Sequence, residues 1–527
     1  MTATIIDTDL LTQARSAVET AQGVIHTGIA TAKESGTADQ DQQLVYSLAH
    51  AASAAAMAES ALTYAQTGDD EARLAHVFIG RQLTDLASML WARSSDWGVE
   101  PSALDATRAY AAQVTAPAFV GLAAAAPGSA NLPDDLAMVA TTFRQFANER
   151  VAPHAEAIHR HDLDIPQEII DGVAELGCFG LSIPEEYGGS ASGSEDDYMA
   201  MVIATEELST ASLGAGGSLI TRPEILARAI EAGGTDEQKQ QWLPAIASGE
   251  TLCAVAVTEP DFGSDVANLK VSASPEEGGW RINGVKTWCT FAGRANALMV
   301  LARTNPDPEA KHRGLSLFVV DKPSDDGHDF RHEVNGGTLE GRAIATLGYR
   351  GMHSFEVSFT DWFVPAANLI GGEEGLGRGF YLQMAGFENG RIQTAARAIG
   401  VMQRAWEVAS EYANDRVVFG APIADYELTQ IKLGTMAAII QVGRQYSYEV
   451  ARKMAAGDGS LEASMAKAYL CKAAEWVTRE ALQIHGGMGY AEEYEVSRLF
   501  VDARVLSIFE GADETLCLKL IGRRLLA

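Results

Sequence analysis

Apolar positions recur at helical spacing through the first part of the chain. Leu44, Leu48, Ala51, Ala55, Ala58 and Leu62 share one helical face. After the turn signal Gly68-Asp69-Asp70, Leu74, Phe78, Leu83, Leu86 and Leu90 share another. These faces are rich in alanine, which lets helices pack closely. Ala123-Ala-Ala-Ala-Pro-Gly-Ser-Ala-Asn-Leu-Pro133 then reads as a linker, because Pro, Gly and Ser cluster there. Helical spacing resumes over 134–160, 166–176, 197–208 and 236–248. From Thr251 to about Ile370 the texture changes to short alternating runs, such as 280–283, 297–303, 315–320 and 355–359. This is the period of antiparallel strands, and Asn283-Gly284 is expected to turn between two of them. Long helical stretches return at 378–416, 426–456 and 460–484.

The pattern predicts a mainly α chain with a middle β domain. Its segments are a helical extension with linker (1–133), a helical domain (134–250), a β domain (251–372) and a C-terminal helical domain (373–527). A weak internal similarity links 68–90 with 457–482, each a Gly/Asp turn followed by an Ala-rich helix.

Composition narrows the function classes. The chain has 527 residues, 47% apolar and 21% charged, as an ordinary globular protein does. A formal charge of −30 argues against nucleic acid and anionic membranes as partners. No apolar run reaches the roughly 20 residues of a membrane-spanning helix, and the N-terminus lacks the basic start of a signal peptide. Five scattered cysteines form no C-x-x-C pair, so neither a zinc site nor a dithiol motif is indicated. No metal is expected, and the odd cysteine count suits the reducing cytoplasm.

Four segments could carry chemistry. Thr258-Glu-Pro-Asp-Phe-Gly-Ser-Asp265 follows an apolar run and offers backbone and hydroxyl donors to an acceptor-rich ring edge or a phosphate; a plain β-turn explains it as well. No G-x-G-x-x-G fingerprint or P-loop is present. Trp288 could stack on a flat cofactor with Thr290 bonding its edge, or Trp288 could be a core residue. Gln483-Ile-His-Gly-Gly-Met-Gly489 ends a long helix, where glycine suits either a helix stop or close approach to a ligand. His485 there is a general base or, more simply, a structural histidine. In Ser507-Ile-Phe-Glu-Gly511 a carboxylate sits among apolar neighbours, which suits a base with a raised pKa; a helix-capping Glu is the plainer alternative.

Together these segments resemble the acyl-CoA dehydrogenases. The matching motifs are Val257 to Asp265, Asn283-Gly-Val-Lys-Thr-Trp-Cys-Thr290, Arg416-Val-Val-Phe-Gly420, Gln483-Ile-His-Gly-Gly487 and Phe509-Glu-Gly511, in the family's order. The resemblance covers the chain from 134 to its end. It implies a helical N-domain, a β-barrel-like middle domain and a C-terminal four-helix bundle, here preceded by the extra extension. It also implies FAD, bound between the middle domain and the C-terminal helices and completed by a neighbouring subunit. By motif, Val255, Val257, Thr258, Gly263 and Ser264 would line the flavin, and Trp288 and Thr290 would cover one face and its N5 edge. Arg416 and Phe419 would reach the pyrophosphate and adenosine of FAD in the adjacent subunit, where the fork-shaped charge of Arg416 suits a diphosphate. Gln483, Gly486 and Gly487 would approach the same cofactor, and Glu514 the flavin side. Ser264, Glu388, Arg391 and Gly511 would lie near the acyl-CoA substrate. Glu510 would be the catalytic base, taking the α-proton while the β-hydride passes to the flavin. An electron-transfer flavoprotein would be the acceptor, and a dimer or dimer of dimers the assembly.

Two positions depart from the family's usual residues, Glu427 for Gln and Ala512 for Thr. The extension is a third departure. With Gly217-Ser-Leu-Ile-Thr-Arg-Pro-Glu-Ile225, it is similar to the methylsuccinyl-CoA dehydrogenases within the family. That resemblance implies conversion of (2S)-methylsuccinyl-CoA to mesaconyl-CoA in the ethylmalonyl-CoA pathway. It makes Arg222 a candidate partner for the substrate's free carboxylate, the alternative being a surface Arg paired with Glu224. Other readings are a butyryl-, isobutyryl- or glutaryl-type dehydrogenase, an acyl-CoA oxidase or flavin monooxygenase, and a non-enzymatic CoA- or FAD-binding scaffold.

Overall fold

The computed structural model describes residues 8–36 and 41–527. In chain order the helices of the first half are α1 (Thr8–Ser35), α2 (Gln42–Tyr64), α3 (Asp69–Leu90), α4 (Arg108–Val114) and α5 (Pro117–Ala124). Then come α6 (Asp134–Phe146), α7 (Ala152–His161), α8 (Gln167–Glu175), α9 (Glu195–Ala211), α10 (Thr221–Gly233) and α11 (Asp236–Ala247). Eight strands follow: β1 (Cys253–Ala256), β2 (Ser272–Glu276), β3 (Gly279–Thr290), β4 (Ala297–Arg303), β5 (Leu315–Asp321), β6 (Asp329–Val334), β7 (Gly337–Ile344) and β8 (Ser354–Pro365). The C-terminal part holds α12 (Gly379–Asp415), the short strands β9 (Val417–Val418) and β10 (Ala421–Pro422), α13 (Glu427–Ala455), α14 (Ser460–His485) and α15 (Glu495–Leu506), followed by short helical turns from Asp513 to Leu525. Two compact units result, one of residues 1–138 with 394–527 and one of 139–393.

The second unit is built on a curled sheet with the order β1-β4-β2-β3-β8-β7-β6, and β5 pairs with β4. Only β1–β4 and a single β2–β4 contact are parallel. Alternation assigns the side chains of β4 to two cores. Leu298, Val300 and Ala302 join helical residues such as Ile169, Phe179 and Leu208. Ala297, Met299 and Leu301 join Ile225, Leu226, Ile230 and Leu243. A strand buried on both faces reads as continuous apolar sequence, which explains Ala297-Leu-Met-Val-Leu-Ala302.

The expected turn at Asn283-Gly284 is not a turn. Strand β3 runs through it, and the hairpin reverses at Glu277-Gly278, between β2 and β3. Asn283 instead clamps the bulged part of the neighbouring strand β8, with Oδ1 accepting from the Asp361 N–H (2.8 Å) and Nδ2 donating to the Asp361 carboxylate (2.9 Å). Gly284 lies at a bulge against β8 (φ 131°), where an added Cβ would meet Val271 at 2.8 Å.

In the first unit, the extension is packed on the C-terminal helices. Gln82 donates to Tyr469 OH (2.6 Å), and the Arg81 guanidinium lies 4.6 Å from the Trp476 ring centroid. On α13, a Cβ at Gly434 would overlap the Val120 carbonyl oxygen at 2.2 Å, so glycine permits this close crossing with α5. The expected linker is strapped down. Gln441 and Gln445 of α13 donate to the Pro127 and Ala130 carbonyls (2.5 and 2.9 Å), and Tyr64 OH donates to the Ser129 carbonyl (2.8 Å). Among the described residues no helix is long and apolar enough to cross a membrane. All five cysteines are free and buried.

Candidate functional site

In the second unit, the 258–265 loop leaves β1 and is stitched to β3. The Thr287 N–H donates to the Thr258 carbonyl (2.8 Å), and the Lys286 ammonium donates to the Val257 carbonyl and to Glu259 (both 2.9 Å). Glu259 also accepts the backbone N–H groups of Lys270 and Val271 (2.8 Å each). Lys286 is wholly buried, and burial pulls its ammonium down to about 8 even though Glu259 opposes the shift. This pair was not singled out from the sequence, although both residues lie inside quoted motifs; its only signal was a charged residue in each of two segments about to be buried.

The clamp holds a surface open to a planar ligand. Trp288 adopts a left-handed backbone (φ 57°) at an interruption of the β3–β8 register. Its side chain is 54% exposed, which excludes the core-tryptophan reading. Thr290 is buried nearby on β3 and shares a 2.9 Å hydrogen bond with the Ser354 hydroxyl. Gly263 and Ser264 are exposed, and a Cβ at Gly263 would meet no atom within 4 Å. Val257 is buried, and Val255 and Thr258 are half-buried.

Arg222 opens α10 and is only 5% exposed, with its guanidinium donating to Tyr349 OH (3.3 Å). The surface pairing with Glu224 is therefore overturned. Residues two apart on a helix do not face each other, and Glu224 instead lies 3.6 Å from Arg228, one turn on. Burial pushes the Glu224 carboxyl up to about 7, against the lowering effect of Arg228. The side-chain oxygens of Thr221 and Glu224 and the amide of Gln383 are buried without hydrogen-bond partners. Such atoms mark places where a ligand or ordered water completes the bonding. Arg391 is buried and Glu388 half-buried on α12.

In the first unit, Glu510 is half-buried on a loop after α15 with φ 54°, and Gly511 follows at φ 100°. Consecutive left-handed residues turn the chain sharply, so Glu510 is no helix cap. The loop is held by Lys467, whose ammonium donates to the Gly511 carbonyl (2.6 Å), and by Arg397, 4.7 Å from the Phe509 ring centroid. Burial lowers the Lys467 ammonium below its ordinary range. Ser507 Oγ donates to Glu475 (2.5 Å), and the Asp513 N–H donates to the Ser507 carbonyl (3.1 Å). Glu514 is exposed.

Arg416 and Phe419 sit on the β9–β10 hairpin. Its central residues Phe419 and Gly420 have positive φ (54° and 91°), and Phe419 is 97% exposed. The Gln483–Gly487 turn lies beside it, because the His485 ring stacks on Tyr412 at 4.3 Å. Gln483, Gly486 and Gly487 are exposed, and a Cβ on either glycine would meet nothing within 4 Å. His485 is buried and bonds the Ala481 carbonyl through Nδ1 (2.8 Å), which makes it structural.

Arg416 and Gln483 are not brought to Glu510. Lys467, which holds the Glu510 loop, and Gln483 are sixteen residues apart on α14, about 24 Å at 1.5 Å per residue. In the second unit the exposed, flat Trp288 suits a planar ring, and in the first unit the open glycine turn and the exposed Arg416 and Phe419 suit an anionic or aromatic part of a ligand.

The acyl-CoA dehydrogenase N-terminal, middle and C-terminal domains match residues 133–250, 254–362 and 377–526. A (2S)-methylsuccinyl-CoA dehydrogenase of Cereibacter sphaeroides is 45% identical over 402 residues, 76% of this chain and 71% of that protein. Butyryl-CoA dehydrogenase of Megasphaera elsdenii superposes with a TM-score of 0.68 at 30% identity, covering 75% of this chain and 99% of that one. A glutaryl-CoA dehydrogenase of Mycobacterium smegmatis in complex with FADH2 superposes with a TM-score of 0.65 at 26% identity, covering 75% and 95%.

Proposed function

The chain belongs to the acyl-CoA dehydrogenase family, an FAD-dependent oxidoreductase acting on acyl-CoA, and we propose that its substrate is (2S)-methylsuccinyl-CoA, oxidised to mesaconyl-CoA. The observation that carries the substrate reading is the buried Arg222 guanidinium beside Tyr349. A free substrate carboxylate needs a cationic partner with paired donors, and Arg supplies them in a fixed fork. The 45% identity to a methylsuccinyl-CoA dehydrogenase supports the same assignment.

Glu510 is the proposed base and takes the α-proton on a carboxylate oxygen. Its own N–H donates to the thioester carbonyl, so developing negative charge meets a preplaced donor. Bound FAD supplies the acceptor for the β-hydride. Trp288 and Thr290 would hold the flavin ring, and Ser264 and Gly263 its polar edge. Glu388, Arg391 and Gly511 would contact the CoA thioester. Because Arg416 and Gln483 lie far from Glu510 within one chain, they would serve the cofactor of a second copy, which makes the active assembly a homo-oligomer. An electron-transfer flavoprotein is the proposed acceptor. The buried free thiols suit a reducing compartment, and the cytoplasm is the proposed location within an ethylmalonyl-CoA pathway.

Arg222→Ala tests the substrate. It should raise KM for methylsuccinyl-CoA by about tenfold to a hundredfold, the worth of a lost charge-assisted hydrogen bond, and leave butyryl-CoA nearly unaffected. Equal effects on the two thioesters would return the protein to a dehydrogenase of simple short-chain acyl-CoAs.

A further inference from the structure

The loop that carries Glu510 is held from a part of the chain outside the matched family domains. Its far end is Asp513, 6% exposed. The Asp513 carboxylate accepts the Tyr46 hydroxyl and lies 3.1 Å from His50 Nε2. Tyr46 and His50 are one turn apart on α2, in the extension. Lys472 of α14 closes the network, donating to Tyr46 OH (2.6 Å) and lying 3.6 Å from the carboxylate. Cys517 Sγ is 3.8 Å from the other carboxylate oxygen.

We propose that Tyr46 and His50 are positioning residues for proton abstraction, fixing Asp513 and with it the left-handed turn that presents Glu510. This rests on Glu510 being the base. Only Gly511 and Ala512 separate Glu510 from Asp513, and the Gly511 carbonyl is already tied to Lys467 (2.6 Å). With Asp513 tied as well, the four-residue segment Glu510–Asp513 is anchored at two points, one on the bundle and one on the extension. A non-glycine residue held at positive φ persists only where its surroundings over-determine it. The anchor is well suited to that task. Burial alone would raise the Asp513 carboxyl, but the hydrogen bonds from His50 and Tyr46 and the Lys472 charge more than offset it and keep it ionised. Burial, and next the adjacent carboxylate, raise the Tyr46 hydroxyl, so it remains a donor. His50, Asp513 and Cys517 are also ligand types that a metal ion could share. The Lys472 ammonium beside the carboxylate and the Tyr46 hydroxyl on it favour the hydrogen-bonded network over a cation.

The test uses the FAD-loaded full chain with Tyr46→Phe, His50→Leu and His50→Gln. Gln445→Ala serves as a control, removing an extension contact to α13 far along the chain from this loop. Anaerobic flavin reduction is followed at saturating methylsuccinyl-CoA and butyryl-CoA, alongside FAD content and thermal midpoint. Tyr46→Phe and His50→Leu should slow reduction by about tenfold to a hundredfold, as a small misplacement of a reacting group does. The apparent Kd and FAD content should stay near wild type, the midpoint should fall only modestly, as the loss of one charge-assisted hydrogen bond requires, and His50→Gln, which keeps a donor, should recover most of the rate. Rates within about twofold of wild type, equal loss in Gln445→Ala, or a rate loss that tracks lost FAD would overturn the proposal. So would a rate loss in wild type on chelation that zinc restores. If wild type is reduced by neither thioester, the functional reading fails instead, before any variant is compared.

Discussion

Removing Glu259 should loosen the loop on which the flavin side of the site depends. The wholly buried Lys286 ammonium has two partners, Glu259 and the Val257 carbonyl, both at 2.9 Å. Glu259→Gln removes the counter-charge and sets an amide NH2 against a backbone N–H that the carboxylate now accepts. Breaking a buried ion pair by removing one partner costs about 3–5 kcal/mol. Lys286→Met should cost less, because the Glu259 carboxylate keeps the N–H groups of Lys270 and Val271 at 2.8 Å. The assay is hydrogen–deuterium exchange of peptides spanning 252–265 and 284–290 in FAD-free protein, because local opening of one unit is read without a global two-state assumption. A loss of about 3 kcal/mol appears as opening a little over a hundredfold more frequent. The sign with pH follows from Lys286, already lowered to about 8. Without Glu259 it falls further, so the folded variant binds fewer protons than wild type in that interval, and its deficit should shrink as pH rises toward about 8. Exchange within about threefold of wild type, or a larger effect from Lys286→Met, would refute the reasoning.

Three further outcomes follow from the same geometry. Glu510→Gln should slow flavin reduction by about a hundredfold to ten-thousandfold with FAD content unchanged, measured by stopped-flow absorbance; loss of FAD with the rate would instead give Glu510 a structural role. Arg416→Gln should weaken FAD binding by about tenfold, the worth of a charge-assisted bond, read by equilibrium dialysis of the apoprotein. In the third, His353 lies 3.0 Å from Asp164, and despite burial the hydrogen bonds and charges of Asp164 and Asp162 raise its pKa. A raised histidine stabilises below its unfolded pKa and loses that contribution as pH rises through the folded one. His353→Gln should therefore lower the thermal midpoint more at pH about 6 than at pH about 9, and a pH-independent loss would contradict the ion pair.

The sequence was most readable where one physical demand dominates. Helical stripes such as Leu74, Phe78, Leu83, Leu86 and Leu90 are all buried on α3, because an amphipathic face has one favourable place to go. The helix end at Gly486 was legible because glycine there serves no packing purpose, whereas the sequence marks Glu510 only as a carboxylate before a glycine and the left-handed turn at Glu510–Gly511 carries no separate signal. Asn283-Gly284 misled because a bulge and a hairpin turn ask for the same residues. Trp288 stayed ambiguous in the sequence, since core burial and ring stacking both favour a large aromatic; its exposure decided the matter. The Glu259–Lys286 clamp and the Tyr46–Asp513 contact were beyond reach for another reason. Each joins residues that spacing cannot connect, the second across nearly the whole chain.

The central claim is tested most directly by anaerobic flavin bleaching. FAD-loaded protein is mixed separately with methylsuccinyl-CoA, butyryl-CoA, isobutyryl-CoA and glutaryl-CoA, with Glu510→Gln as the control. The account predicts fast loss of the flavin band with methylsuccinyl-CoA, none in Glu510→Gln, and slow or no loss with the other three. Fast bleaching by butyryl-CoA or isobutyryl-CoA in place of methylsuccinyl-CoA would contradict the dicarboxylate assignment, and bleaching that survives in Glu510→Gln would contradict the base.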